Sequence, residues 1–256
     1  MRWLRRTVTL GWRWPTGRCK FGPMKRMILW GLAVSLAAVP ALSRDRSDEL
    51  TRGHANPSAV ITEEITFARM AQEKGQWTAF RATATKDAVM FVPQMAYAQG
   101  FLKGKPDPAQ AVKWQPHQVW SSCDGTLAVT RGAWQDGSKA GYFTTVWQLQ
   151  KNGRYKWVLD QAEELPMPLD APDMIVAKVA DCPAGYNARR SPKVKDFKGN
   201  PPPLDPSRRT GQSLDGSLGW EVTVSPQGAR RFVVTMQADG ARATVQDLQV
   251  EAPPSK

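Results

Sequence analysis

The chain predicts an α+β fold, with helices first and a strongly bent antiparallel sheet after them. Three observations predict it: apolar residues recur at helical spacing after Asn56-Pro57, the period changes to that of strands from Asp87, and three Asp-Gly or Asn-Gly turns punctuate the strand-forming region. Helices followed by consecutive hairpin-joined strands pack as two layers.

Asn56 as N-cap and Pro57 at the first helical position open a helix on which Ile61, Ile65, Ala68 and Ala71 form an apolar stripe, with Phe67 alongside and Gly75 closing it. A shorter helix then places Trp77, Phe80, Arg81 and Ala84 on one face. Residues 88–92 read as a short strand ended by Pro93, 97–105 as a loop or second short strand bent at Gly100 and Gly104, and 106–112 as a loop with room for one helical turn. The clearest pattern comes next: strands at 117–123, 126–134, 141–150 and 155–162, joined by turns at Asp124-Gly125, near Asp136-Gly137 and at Asn152-Gly153. Such dipeptides between alternating runs make an antiparallel meander. Beyond Leu165, the prolines Pro166, Pro168 and Pro172 begin a linker over 166–213 that is too poor in apolar residues for a core, although 174–182 can add a strand. Residues 214–252 read as a C-terminal β-hairpin extension with strands at 219–224, 231–237 and 243–250.

Residues 24–43, MKRMILWGLAVSLAAVPALS, have the parts of a secretory signal: the basic pair Lys25 and Arg26, an apolar run, and small residues at Ala41 and Ser43. Translation is therefore expected to begin at Met24, with 1–23 an upstream extension, 44–56 a charged lead-in, and the product periplasmic or secreted. The apolar run is shorter than the roughly 20 residues a membrane span needs, so no stable membrane anchor is expected after cleavage. The formal charge of +12, from 35 Lys and Arg against 23 Asp and Glu, would suggest an anionic partner. Eight of those bases precede Ser43 and no acid does, which leaves 27 against 23 from Arg44 onward. With that near balance, and no basic stripe interleaved with aromatics, a nucleic-acid partner is not expected.

Removing the leader also removes Cys19 and leaves Cys123 and Cys182, which are either a disulfide or two separate buried thiols. Their spacing excludes a C-x-x-C centre, and two Cys without a nearby His hold no zinc. There is no Walker loop, dinucleotide fingerprint, H-E-x-x-H, G-x-S-x-G or EF-hand spacing, so neither cofactor nor metal is expected; Gly216-Ser217-Leu218-Gly219 lacks the spacing of a nucleophile elbow.

The segment AVITEEITFARMAQEKGQWTAFRATATKDAVMFVP, followed by a meander ending TTVWQLQKNGRYKWVLDQ, resembles the SnoaL-like and ketosteroid-isomerase-like families of the nuclear transport factor 2-like superfamily, over about residues 57–165. The resemblance implies a cone-shaped fold whose bent sheet and helices enclose a pocket. It implies no one activity, because the scaffold hosts isomerases, cyclases, dehydratases and non-enzymes. Where the isomerases place an Asp base before a Pro and a Tyr donor on the first helix, this sequence has Val92 and Ala68, neither of which can transfer a proton. Only two histidines exist, and His54 falls in the lead-in.

Candidate pocket residues are Trp120, Arg131, Tyr142, Thr144 and Trp147 for a ligand, with His117 and Asp160 as an acid–base pair. Each has a structural alternative: Arg131 solvated or paired with an acid, Asp160 exposed on a sheet face or capping a loop, and the two Trp residues in the core. The leading expectation is an exported module that binds a small apolar or aromatic ligand or uses the fold structurally, with a homodimer left open. The runner-up is an isomerase, cyclase or lyase using the Asp160 and His117 pair, and the third is a cell-envelope interaction protein.

Overall fold

In the computed structural model the described residues are 54–167, 170–190 and 193–252. The upstream extension, the signal and most of the lead-in lie outside them, as does Cys19. Helix α1 (Pro57–Lys74) starts where Asn56 Oδ1 accepts the Ala59 N–H at 3.1 Å, and it ends at Gly75, whose φ of 103° few other residues adopt. Helix α2 (Gln76–Thr83) begins at once, its first turn held by the Asp107 carboxylate, which accepts the Thr78 N–H at 2.9 Å and its hydroxyl at 2.6 Å.

The buried residues of α1 are Val60, Glu64, Phe67 and Ala71, while Ile65 is 51% exposed. The buried stripe is thus turned by one residue from the one expected around Ile61 and Ile65. A glutamate takes the place in it that an aliphatic residue was expected to fill.

Strands β1 (Ala84–Phe91) and β2 (Met95–Tyr97), a one-turn helix α3 (Ala98–Phe101), then β3 (Lys113–Ser121), β4 (Leu127–Asp136), β5 (Lys139–Leu149), β6 (Tyr155–Leu165) and β7 (Val176–Val179) supply a seven-stranded sheet in the order β2-β1-β6-β5-β4-β3-β7. The meander β3 to β6 is antiparallel, and β1 and β7 join its two sides in parallel. Gly125, Gly137 and Gly153 have φ of 69°, 58° and 83°, as tight hairpin turns require. Four more strands, β8 (Arg208–Gln212), β9 (Leu218–Val224), β10 (Arg230–Ala238) and β11 (Ala241–Val250), form a second antiparallel sheet. Strand β8 falls inside the segment read as linker. As an edge strand it is half exposed, so its sequence Arg-Arg-Thr-Gly-Gln carries no apolar alternation.

The seven-stranded sheet is covered on both faces. One core joins α1 and α2 to it through Val60, Phe67, Phe80, Val119, Trp147 and Trp157; the other joins it to the second sheet through Trp120, Val129, Val146, Leu159, Trp220 and Phe232. Two similar hairpins lock the sheets together. In Ser122-Cys123-Asp124-Gly125 and Ser213-Leu214-Asp215-Gly216 the Ser hydroxyl donates to its Asp, at 2.7 and 2.6 Å, and each Asp also accepts the other's backbone N–H, at 2.9 and 3.0 Å. A Cys123–Cys182 disulfide lies beside this joint, with a Cα–Cα distance of 5.1 Å.

Candidate functional site

The period of two divides the meander's side chains between its faces. Register pairs Thr130 with Thr145 and Thr145 with Asp160, so these three form one row across β4, β5 and β6 beneath the helices. At one end of the row stands Glu64, fully buried, whose Oε2 accepts the Thr130 hydroxyl at 2.5 Å and Trp147 Nε1 at 3.0 Å, and whose Oε1 accepts Trp114 Nε1 at 2.8 Å. Burial raises its pKa, and those three donors act against the rise. At the other end Asp160 Oδ2 accepts the Thr145 hydroxyl at 2.9 Å. Burial pushes the Asp160 pKa up to about 7; the Thr145 hydrogen bond opposes that and the Glu64 charge adds to it.

Asp160 lines a cavity of about 300 Å³ walled by Phe67, Phe80, Trp114, Trp134 and Phe143. The rings are fixed in place. Phe67 meets Phe80 and Trp114 edge to face at 4.7 and 4.9 Å, and Trp134 Nε1 donates to the Tyr142 and Glu163 carbonyls at 3.1 and 3.0 Å. Gly141 makes room for Trp134, since a Cβ there would stand 2.6 Å from the indole. Gln76, Asp136 and the Lys139–Glu164 pair, 2.9 Å apart, complete the polar part of the lining.

The expected site residues are divided between the faces. Trp147 and Asp160 lie under the helices. Trp120 and Tyr142 belong to the core shared with the second sheet, and Arg131 and Thr144 are on that same face by register. The structure therefore does not gather all of them into one pocket, because side chains an odd number of residues apart on a strand point oppositely. His117 sits at a bulge between Pro116 and Gln118, and the cavity that contains Asp160 does not include it. Its buried Nε2 has no hydrogen-bond partner, and burial, then the Arg131 charge, lowers its pKa. Of the two residues that the resemblance sets at the isomerases' catalytic positions, Val92 packs at the edge of the helix-face core and Ala68 borders a groove with Ile65 and Met174.

The reading from sequence missed Glu64, Trp114, Trp134 and Phe143. Val60, Glu64, Phe67 and Ala71 follow the helical spacing i, i+4, i+7, i+11, and that spacing was the available signal for Glu64. Among the described residues no group of three or more His, Cys, Asp or Glu is placed to hold a metal ion, and no helix is long and apolar enough to cross a membrane.

The solved structures this chain resembles include ketosteroid-isomerase-like and nuclear transport factor 2-like proteins. A proposed ketosteroid isomerase from Parabacteroides distasonis is 14% identical, covering 45% of this chain and 97% of its own, with a TM-score of 0.35. A nuclear transport factor 2-like protein of unknown function from Burkholderia xenovorans is 17% identical over 46% of this chain and 91% of its own, with a TM-score of 0.30. A protein of unknown function from Pectobacterium atrosepticum is 12% identical over 43% and 90%, with a TM-score of 0.35. No family model and no curated protein matches the chain.

Proposed function

We propose that this is an exported nuclear transport factor 2-like module whose helix-face cavity binds a small aromatic or apolar ligand. The observation that supports the reading is the cavity of about 300 Å³ with five aromatic walls and one buried carboxyl, Asp160. Edge-to-face rings accept a flat apolar guest, and a carboxyl that titrates near neutrality can accept or donate one hydrogen bond to orient it. The conical enclosure, the periplasmic or secreted location and assembly as a homodimer are parts of the same proposal. Titration of the mature protein with 2-naphthol, followed by tryptophan fluorescence, tests it. Saturable quenching is expected, with Phe143→Trp weakening it by filling the cavity. No saturation, or equal binding by that variant, overturns the reading.

Asp160 favours a second reading, proton transfer on the bound ligand. A carboxyl held at about 7 is close to evenly divided between acid and base at neutral pH. With Val92 and Ala68 at the known catalytic positions, a ketosteroid-type substrate should turn over no faster than in buffer. Where a substrate is found, its rate should follow a single ionisation near 7 and vanish in Asp160→Asn; a rate insensitive to that change excludes Asp160 as the base.

A further inference from the structure

One residue out of step with the helix-face row runs a second one, Arg131, Thr144 and Gln161, each the register partner of the next on the face covered by the second sheet. It contains three buried polar atoms without a hydrogen-bond partner: Arg131 Nε, Thr144 Oγ1 and Gln161 Nε2. Thr144 is 0% and Gln161 1% exposed. Two of the three atoms can only donate and the third can do so, which leaves the row with three unmet donors. The charges show the same shortfall. Two other guanidiniums between the sheets are answered: Arg230 by Glu163, by Gln161 Oε1 at 3.1 Å and by the Ala162 carbonyl at 3.2 Å, and Arg209 by the Asp87 carboxylate at 3.2 Å. Arg131 lies 4.7 Å over the Tyr142 ring and reaches Gln246 Oε1 at 3.4 Å, and among the described residues it makes no ion pair.

Arg131 is half-buried, and taking a guanidinium even partly out of water without an acid beside it is unfavourable. Here Arg131 forms a wall common to two cavities of about 210 and 170 Å³, which also share Gln118 and Val176. Trp120, Val245 and Lys178 line the second, and Asp170, the acid on the first, makes no ion pair with Arg131. We propose that this inter-sheet pocket binds a small carboxylate, gripped by Arg131 and Gln118 with Lys178 at the rim and its apolar body against Trp120, Val176 and Val245. The planar guanidinium matches a carboxylate bidentately, and the apolar walls suit an organic acid better than an inorganic oxyanion.

Butyrate, n-butanol and inorganic phosphate, titrated into the mature protein while the Arg131 Nε–H resonance is followed, test the proposal at its own site. Butyrate should bind and shift that resonance, and n-butanol and phosphate should not. Arg131→Gln should weaken butyrate roughly 10- to 100-fold. Lys178→Gln, an exposed change on β7, should weaken it several-fold and gives a second measurement if the arginine variant does not fold. The proposal is overturned by no butyrate binding, by equal binding of n-butanol, by butyrate affinity unchanged in the variants, or by phosphate binding as tightly as butyrate, which would make the site one for inorganic anions.

Discussion

Two polar rows cross the same three strands one residue apart, and they end differently. Under the helices every hydroxyl of the row is met: Thr130 bonds Glu64 and Trp147, and Thr145 bonds Asp160. Under the second sheet, Arg131, Thr144 and Gln161 leave three polar atoms unmet. The covering layer makes the difference: α1 brings a carboxylate that accepts three bonds, whereas β10 and β11 bring a second guanidinium at Arg230 and a single amide at Gln246. One face is therefore acidic and internally satisfied, with an aromatic cavity beside it. The other is basic and short of acceptors. What a strand residue can do is set as much by the layer above it as by its own chemistry.

The largest expected effect breaks the satisfied face. Trp147→Ala removes one of the two tryptophans fully buried under the helices and takes the indole donor from both Glu64 Oε2 and the Thr130 hydroxyl oxygen, which keep their bond to each other. The packing loss alone is about 3–5 kcal/mol, and the weakened network adds about 1–2 kcal/mol. Trp120→Ala, on the other face, should cost the packing alone. Urea denaturation of the two variants measures the gap, and equal losses would show that the Glu64 network contributes nothing.

A second measurement reads the charge of the helix face through pH. Asp160 in the folded protein titrates at about 7, above its ordinary value of 3.8. Between those values the unfolded chain has released a proton that the folded chain keeps, so stability falls as pH rises from about 4 to about 7 and then levels off. The full effect is on the order of 4 kcal/mol. Raised by burial, Glu64 acts in the same direction. Asp160→Asn should flatten much of this slope, so that urea midpoints at pH 5 and pH 8 lie closer together than in the parent protein. An unchanged slope would mean that Asp160 is not the group that titrates.

Much of the fold was legible because it rests on local chemistry: the Asn56-Pro57 start of α1, Gly75 at its end, and the three glycine turns of the meander all act within a few residues. The division of the site was harder to read. Alternation told that Thr144 and Thr145 point oppositely, but not which faced helices and which faced a second sheet, because that depends on residues some seventy to a hundred positions later. Glu64 was hidden for a related reason. A glutamate on a helix is ordinarily solvated, and its burial depends on indole donors at Trp114 and Trp147, 50 and 83 residues away in sequence. Strand β8 escaped because edge strands need little apolar content.

The smallest and sharpest test compares one atom on each face. Thr130→Val deletes the hydroxyl that bonds Glu64 at 2.5 Å, leaving a buried carboxylate with one donor fewer, and should cost about 1–3 kcal/mol. Thr144→Val deletes a buried hydroxyl that has no partner, with nearly the same shape remaining. An unmet hydroxyl was desolvated on folding without return, so its removal should leave stability unchanged or raise it by about 1 kcal/mol. Opposite signs for the same substitution on register-adjacent strands would confirm that the two rows differ in satisfaction and not merely in position. A loss at Thr144 as large as that at Thr130 would mean that its hydroxyl has an acceptor in solution, and the donor-rich account of the inter-sheet face would fail with it.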